Sequence, residues 1–224
     1  MKELDHPNIV KMVGVVRDSD TLMVMEFLEL GSLPAYLELN KRSLGDRELI
    51  KFSCDIASAM EYLEREKIVH RDLAARNILV ESESKVKLSD FGLAHHLHDG
   101  ASHSAKSRDR CLPIKWYAPE TILWNIFTIK SDVWSFGVTL WEMFTFGEDP
   151  VVVYSANATE IGRTLMDGAR LRCPEACPPD VYQIMQKCWA SEDELRPSFS
   201  SLLAAFQDMV ERKKRVLASS RVAG

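Results

Sequence analysis

No stretch of this sequence approaches the ~18 consecutive apolar residues that a membrane-spanning helix needs, so none of its segments reads as a transmembrane span. The opening residues, Met1-Lys2-Glu3-Leu4-Asp5-His6, carry no apolar core of a secretory signal. Positive charge is not in excess. The 28 Lys and Arg stand against 33 Asp and Glu, a formal net charge of −5, which argues against a nucleic-acid binder or a polybasic membrane binder. Cysteine is scarce, odd in number and scattered, at Cys54, Cys111, Cys173, Cys177 and Cys188, which is no disulfide framework. Cys173 and Cys177 resemble half a metal site, but no second Cys or His pair follows at finger spacing. The reading is reduced thiols in a cytoplasmic protein. Asn157-Ala158-Thr159 matches a glycosylation sequon and, with no secretory signal, is read as accidental. Internal repeats and low-complexity segments are also absent.

What is present is an ordinary soluble composition, 46% hydrophobic and 27% charged, with enough chain for one large domain or two small lobes. Residues 9–16 and 21–28 are β-branched and apolar, and Arg17-Asp18-Ser19-Asp20 joins them as a polar turn, so they read as a hairpin. Gly31-Ser32 breaks the chain, and helical signals take over. Leu49, Phe52, Ile56, Met60 and Leu63 recur at helical spacing, with Ser43 and Asp46 as the capping pair. Two short strands, Ile78-Leu79-Val80 and Val86-Lys87-Leu88, flank a polar turn, and a long polar loop covers 93–112. From Ser131 to Phe146 the chain is apolar on almost every face, which predicts a helix buried at the centre of a domain. Shorter helices are predicted near 158–167 and 181–189. A last helix runs from Phe199 to the basic run Arg212-Lys213-Lys214-Arg215, whose charge suits a helix C-terminus, leaving a frayed tail. The fold class is α+β: a small β-hairpin joined to a mainly helical lobe.

The chemistry concentrates in His70-Arg71-Asp72-Leu73-Ala74-Ala75-Arg76-Asn77 and in Asp90-Phe91-Gly92. An Asp with an Asn five positions on, then a second Asp before Phe-Gly, is a set that phosphoryl transfer can use. At these residues the chain resembles the protein kinase family, and the Ala74-Ala75-Arg76 insert resembles its tyrosine-specific branch. The resemblance covers roughly residues 1–212. It implies a kinase-like fold with a remnant of the small lobe and the hinge in residues 1–30, a large lobe in 31–212 and a tail in 213–224. It implies ATP and Mg²⁺ as cofactors, Asp72 as the group that takes or orients the substrate hydroxyl proton, and Asn77 and Asp90 as metal ligands. Met25 resembles the gatekeeper, Glu26 and Leu28 the adenine-binding hinge, and Leu79 the floor of the adenine pocket. His70 and Phe91 resemble members of a hydrophobic spine.

Tyrosine specificity rests on Arg76, which resembles the residue supporting the phenol, and on Leu112 to Glu120. There Pro113 and Trp116 resemble a shelf for a long flat side chain. Two further matches are structural: Glu120 with Arg196 as a buried ion pair, and Asp132 as the holder of the catalytic-loop backbone. Subfamily resemblance is divided. Stretches such as Trp116 to Glu120 and Val181 to Trp189 are most similar to Janus-type kinases, and Asn157 to Arg172 is more similar to focal-adhesion or Syk-type kinases.

The sequence departs from the family in two places. A Gly-rich phosphate loop, a strand Lys and its partner Glu are not found, and Met1 to Asn8 resembles only the end of the helix that carries that Glu. The expectation is a partial chain, a fragment or a gene model begun at an internal Met, with poor ATP binding, little turnover and an exposed apolar hairpin. The rival is a naturally short, inactive lobe that acts as a binding or regulatory module. Second, the loop from Leu93 to Leu112 has no tyrosine. Arg71 resembles the residue that reads a phosphorylated loop, with Lys106, Arg108 and Arg110 as further phosphate partners. Three alternatives stand: order without tyrosine phosphorylation, use of Ser102, Ser104 or Ser107 instead, or a solvated loop with no switch. The implied partners are proteins with a substrate tyrosine, with accessory domains upstream in the parent protein. The expected location is the cytoplasm, with membrane association only through regions outside this chain. Serine/threonine transfer is disfavoured by Arg76 and the Pro113–Trp116 shelf.

Overall fold

The computed structural model describes residues 4–17, 21–97, 103–104, 113–155 and 157–222. The hairpin predicted at the start is present. Strand β1 (Met12–Arg17) pairs antiparallel with β2 (Thr21–Met25), with a register shift between Met12 and Gly14. Every residue of β2 is exposed, and β1 is exposed over most of its length. Val13, Leu22, Met23 and Val24 therefore face solvent, and Phe27 just beyond is 85% exposed. A two-stranded sheet with both faces wet gains little from burial. The segment before it is better anchored. Val10 N–H donates to Leu88 O at 2.9 Å, Leu88 N–H donates to Asn8 O at 2.8 Å, and the Asn8 amide reaches Val86 O at 3.0 Å. These bonds give residues 8–10 an extended path. The described part of the segment likened to a helix end, residues 4–8, is accordingly not helical; Pro7 has no N–H to give a helix, and Asn8 is committed to residues 86–88.

Helix α1 (Leu33–Asn40) follows the break at Gly31 and buries Leu33, Tyr36 and Leu37. Helix α2 (Asp46–Arg65) buries the predicted stripe, Leu49, Phe52, Ile56, Met60 and Leu63. Its start differs from the expected Ser43–Asp46 pair. Gly45 is the N-cap residue, and its N–H donates to the Glu48 carboxylate at 3.2 Å, while Ser43 Oγ instead donates to Asn40 O. A short strand β3 (Ile68–Val69) leads into the loop at 70–77, which ends in a 3₁₀ turn (Ala75–Asn77). Strands β4 (Ile78–Ser82) and β5 (Lys85–Leu88) form the second hairpin, with a shift at its turn between Val80 and Ser82. Beyond it, β6 (His95–His96) pairs with β3. The two residues of β7 (His103–Ser104) pair with β8 (Ile126–Phe127), which follows the six-residue helix α3 (Pro119–Trp124).

Helix α4 (Ile129–Phe144) is the axle of the lobe. From Ser131 to Phe144 every residue is buried, the signature of a helix surrounded by protein. Helix α5 (Ala158–Met166) packs against α3, and α6 (Pro179–Cys188) packs against α4. The approach at Gly137 is so close that a Cβ would meet the Trp189 indole nitrogen at 2.6 Å, so no larger residue fits without displacing Trp189. The sequon asparagine has a structural use: Asn157 Oδ1 accepts from Thr159 N–H at 2.9 Å and caps α5. Helix α7 (Phe199–Val222) lies along α2 and packs Phe199 and Phe206 against Phe136. It does not end at the basic run. Lys213 and Arg212 approach Asp46 and Asp180 at 3.5 and 3.6 Å, and Lys214 pairs with Glu211, so the charge is spent on neighbouring carboxylates within a continuing helix.

The result is an α+β architecture, a helical lobe with a small β remnant. One ion pair ties its far end together. Arg196, 1% exposed, meets Glu120 with both guanidinium nitrogens, at 2.6 and 2.8 Å, and also donates to the carbonyls of Ala190 and Lys130. Removing one partner strands a buried charge. Glu120→Ala should therefore lower unfolding stability by about 3–5 kcal/mol in urea titrations. A loss well below that would mean that water reaches Arg196.

Candidate active site

The loop from His70 to Asn77 is hung from α4 by two buried carboxylates. Asp132 Oδ2 accepts from His70 N–H at 2.7 Å, and Oδ1 accepts from Arg71 N–H at 2.9 Å. Ten residues along the same helix, Glu142 Oε2 accepts from Ala75 N–H at 3.0 Å and from the Trp116 indole N–H at 2.8 Å. The loop passes through Arg71 with a φ of 69°, a left-handed value that costs a non-glycine residue about 1 kcal/mol or more, so the tethers are what hold it. Burial pushes Asp132 up to about 7 and also raises Glu142. His70 is buried as well. Its Nδ1 accepts from Asp72 N–H at 3.3 Å, and Nε2 donates to Ser89 O at 3.2 Å, an arrangement for a neutral ring. Burial pushes its pKa down to about 4. Its ring meets Phe91 edge-on, with centroids 5.1 Å apart.

These tethers bring the polar residues together. Asn77 donates its amide to Asp72 O at 2.7 Å and to Asp72 Oδ2 at 2.9 Å. The other oxygen, Asp72 Oδ1, is paired with Arg76. Asn77 O in turn accepts from both Ser89 N–H and Ser89 Oγ at 2.8 Å, which sets Asp90 directly beside it in sequence. Asp90 also sits at a left-handed φ, 54°, and its Oδ1 accepts from Gly92 N–H at 3.1 Å. Asn77 Oδ1 and the second Asp90 oxygen are not used in these bonds. Both are hard oxygen donors, and two such donors, with phosphate and water oxygens completing the shell, suit a small divalent cation. Among the described residues no group of three or more His, Cys, Asp and Glu is arranged to hold a metal, so Cys173 and Cys177 have no third ligand there.

Arg76 links the loop to the 113–116 segment. Its guanidinium lies 4.5 Å over the Trp116 ring while pairing with Asp72, so carboxylate, cation and indole form one stack. Trp116 stands on a 3₁₀ turn (Ile114–Trp116) that begins after Pro113, and Ser135 Oγ of α4 donates to Trp116 O at 2.7 Å. Lys115 is paired with Asp149. Arg71 points elsewhere. Its guanidinium lies 4.7 Å from the Phe127 ring centroid, and its Nε is buried with no hydrogen-bond partner among the described residues. Ser102, Ser107 and the loop cations Lys106, Arg108 and Arg110 lie outside the described residues. Ser104 is described in its backbone, within β7.

The residues likened to an adenine site run from the end of the first hairpin, at Met25, to Leu79 in the second. Val80 N–H donates to Gly31 O at 2.9 Å, and Ser32 bridges to Leu79, which lays residues 31–32 beside β4. Leu28 is buried and Leu79 half-buried. Met25, at the end of the wet hairpin, is 43% exposed. The Glu26 carboxylate is fully occupied, by Lys87 at 2.8 Å to each oxygen and by Lys11 N–H at 2.7 Å, and its backbone N–H donates to Lys11 O at 2.9 Å.

Glu142 is the residue the sequence reading missed. The signal was there: an ionisable residue between Trp141 and Met143 in a helix that buries every face demands a buried partner. A family model described as protein tyrosine and serine/threonine kinase matches residues 1–206.

The His70 and Asp132 shifts have opposite signs. His70 holds fewer protons folded than unfolded between about 4 and 6.5, so its share of stability is present above 6.5 and lost as pH falls. Asp132 holds more protons folded than unfolded between about 4 and 7, so its share is lost as pH rises through that window. The two offset. Asp132→Asn removes one side of the balance, and its unfolding free energy plotted against pH between 4.5 and 6.5 should rise more steeply than the wild type's, by up to about 1.4 kcal/mol per pH unit. Parallel curves for the two proteins would show that Asp132 is ionised throughout.

Proposed function

Because the chain belongs to the protein tyrosine and serine/threonine kinase family, we propose that its site serves transfer of the γ-phosphoryl group of ATP to the hydroxyl of a protein tyrosine. Family membership supports protein kinase activity. The observation that carries the finer reading is the Asp72–Arg76–Trp116 stack. It puts a proton acceptor, a cation and a flat indole in one line, a platform matched to a phenol held at its ring and its oxygen.

Each residue then has a task. Asp72 orients the phenol and accepts its proton as the oxygen attacks phosphorus. Asn77 fixes one Asp72 oxygen and Arg76 fixes the other, so the carboxylate cannot rotate away. Arg76 holds the phenol ring against Trp116 and Pro113. Asn77 and Asp90 supply oxygens to Mg²⁺, which when bound neutralises and orients the phosphates. The backbone at 26–28 and the side chains of Leu28, Leu79 and Met25 receive the adenine. The likeness to Janus-type and other cytoplasmic tyrosine kinases supports a non-receptor class, a cytoplasmic setting and intracellular signalling, with protein substrates. A phosphate on the loop, at Ser102, Ser104 or Ser107, would find Arg71 with no hydrogen-bond partner for its Nε among the described residues.

Turnover by these residues alone is weak. No Gly-x-Gly-x-x-Gly occurs in the sequence, and each missing phosphate contact of that kind costs about 10²–10³ in rate. That observation, with the wet hairpin, favours a second reading in which the lobe docks a partner and catalyses nothing. A pair of peptides differing only in Tyr against Ser, incubated with the chain, ATP and Mg²⁺, separates the readings. Slow phosphorylation of the tyrosine peptide alone is expected, falling about 10²-fold or more in Asp72→Asn. Equal labelling of the serine peptide would remove the tyrosine assignment, and labelling that is indifferent to Asp72→Asn would remove the site. No labelling at all would move the chain to the docking reading.

A further inference from the structure

Of the five tyrosines in the chain, four are held in the lobe. Tyr36 and Tyr117 are buried, against Phe52 and Phe127. Tyr62 stacks on His6 with centroids 5.2 Å apart, and Tyr182 donates its hydroxyl to Leu171 O at 3.0 Å. Tyr154 is different. It is 94% exposed, makes no hydrogen bond among the described residues, and stands in the irregular segment between α4 and α5. A tyrosine can be phosphorylated only if its ring leaves the protein surface and its backbone can extend into another enzyme's cleft. Helix and strand residues resist that, and Tyr154 needs no unfolding to do so.

Its surroundings would also receive a phosphate. Tyr154 borders a cavity of about 700 Å³ that is also lined by Lys41 and Arg172. Neither cation is ion-paired among the described residues, and Lys41 rests only against the Phe146 ring, at 5.7 Å. Arg172 is fixed in its backbone, where its carbonyl accepts from the Trp141 indole N–H at 2.8 Å. Glu148, Asp149 and Glu175 line the same cavity, but Asp149 is engaged by Lys115. A phosphotyrosine brings about two negative charges and three acceptor oxygens, the chemistry that unpaired Lys and Arg bind.

We propose that Tyr154 is a phosphoacceptor site of this protein and that Lys41 and Arg172 receive its phosphate. In the transfer, Tyr154 Oη attacks the γ-phosphorus of ATP bound to a tyrosine kinase. The new O–P bond forms as the β–γ bridging P–O bond breaks, ADP leaves, and the phenolic proton passes to that enzyme's base. The inference goes beyond the proposed activity and does not depend on it, because the phosphoryl group is transferred by a separate enzyme.

The test supplies the enzyme. The full chain carrying Asp72→Asn, and so silent itself, is incubated with ATP and an unrelated, constitutively active soluble tyrosine kinase, and phosphotyrosine is mapped by mass spectrometry. Tyr154 should carry about ten times the label of any other tyrosine, and Tyr154→Phe should lose most of the total. Label spread over Tyr36, Tyr62, Tyr117 and Tyr182 with none favoured, or none on Tyr154, overturns the site. The labelled protein is then treated with a tyrosine phosphatase. Slower release than from the Lys41→Ala/Arg172→Ala double variant is expected, and equal rates overturn the receiving role of the two cations. A chain unable to phosphorylate any peptide would undo the proposed activity and leave the Tyr154 label in place, so the two failures read differently.

Discussion

The bonds from Asp132 to the backbone of His70 and Arg71 are the constraint on which the rest of the site depends. A loop that passes through a left-handed Arg71 does not hold that shape on its own, since the local backbone energy opposes it. The opposition is overcome by a carboxylate that belongs to the most buried helix of the lobe. Helix α4 supplies a second carboxylate, Glu142, to the other end of the loop. The two acids are ten residues apart, about 15 Å along a helix axis, and the loop is stretched between them. Everything that touches the candidate reaction centre inherits its position from this span: Asp72 lies between the anchors, and Asn77 just past the second.

Burial of these acids is costly, and the costs are visible as raised pKa values. Each acid is offset by backbone or indole N–H donors in place of a full countercharge. That choice has a consequence for rigidity. A salt bridge to a flexible Lys or Arg tolerates drift, whereas two N–H groups from consecutive residues fix a carboxylate in its plane. The Glu120–Arg196 pair serves a different purpose, with a guanidinium fork holding α3 to the segment that precedes α7. Both devices belong to the helical lobe. The hairpin has no counterpart, and its strands contact water on both faces. Stability in this chain is therefore graded, high around α4 and low at β1 and β2.

Much of this was legible in the sequence, and the reasons are specific. The stripe from Leu49 to Leu63 has a helical period, and the mostly apolar stretch through α4 is too long for a strand, so both elements were readable to within a few residues. The loop motif was readable because packing alone never asks for Asp72, Asn77 and Asp90 together. Boundaries fared worse where a side chain far away in sequence decided them. The α2 start was set by Glu48 reaching back to Gly45, and the course of residues 8–10 by hydrogen bonds to residues nearly eighty positions on. The basic run at 212–215 looked like a helix end because local charge suits one. Its carboxylate partners on α2 and α6 become visible only when the helices are packed. Of the candidate site, residue identity was legible and mutual contact was not: that Arg76 pairs with Asp72 while covering Trp116 is a fact of three dimensions.

That contact joins two tasks that sequence treats as separate. A base must be held still, and a substrate ring must be gripped. Arg76 does the first by binding one oxygen of Asp72 and contributes to the second by stacking on Trp116. Trp116 is itself fixed through its indole N–H to Glu142, the same carboxylate that anchors the loop at Ala75. Base, cation, shelf and loop anchor thus close into a ring of contacts running from Asp72 through Arg76, Trp116 and Glu142 back to Ala75, the residue before Arg76. In such a ring no member moves alone. A change at Glu142, with no contact to any substrate, reaches the base and the shelf together, because both are oriented through it.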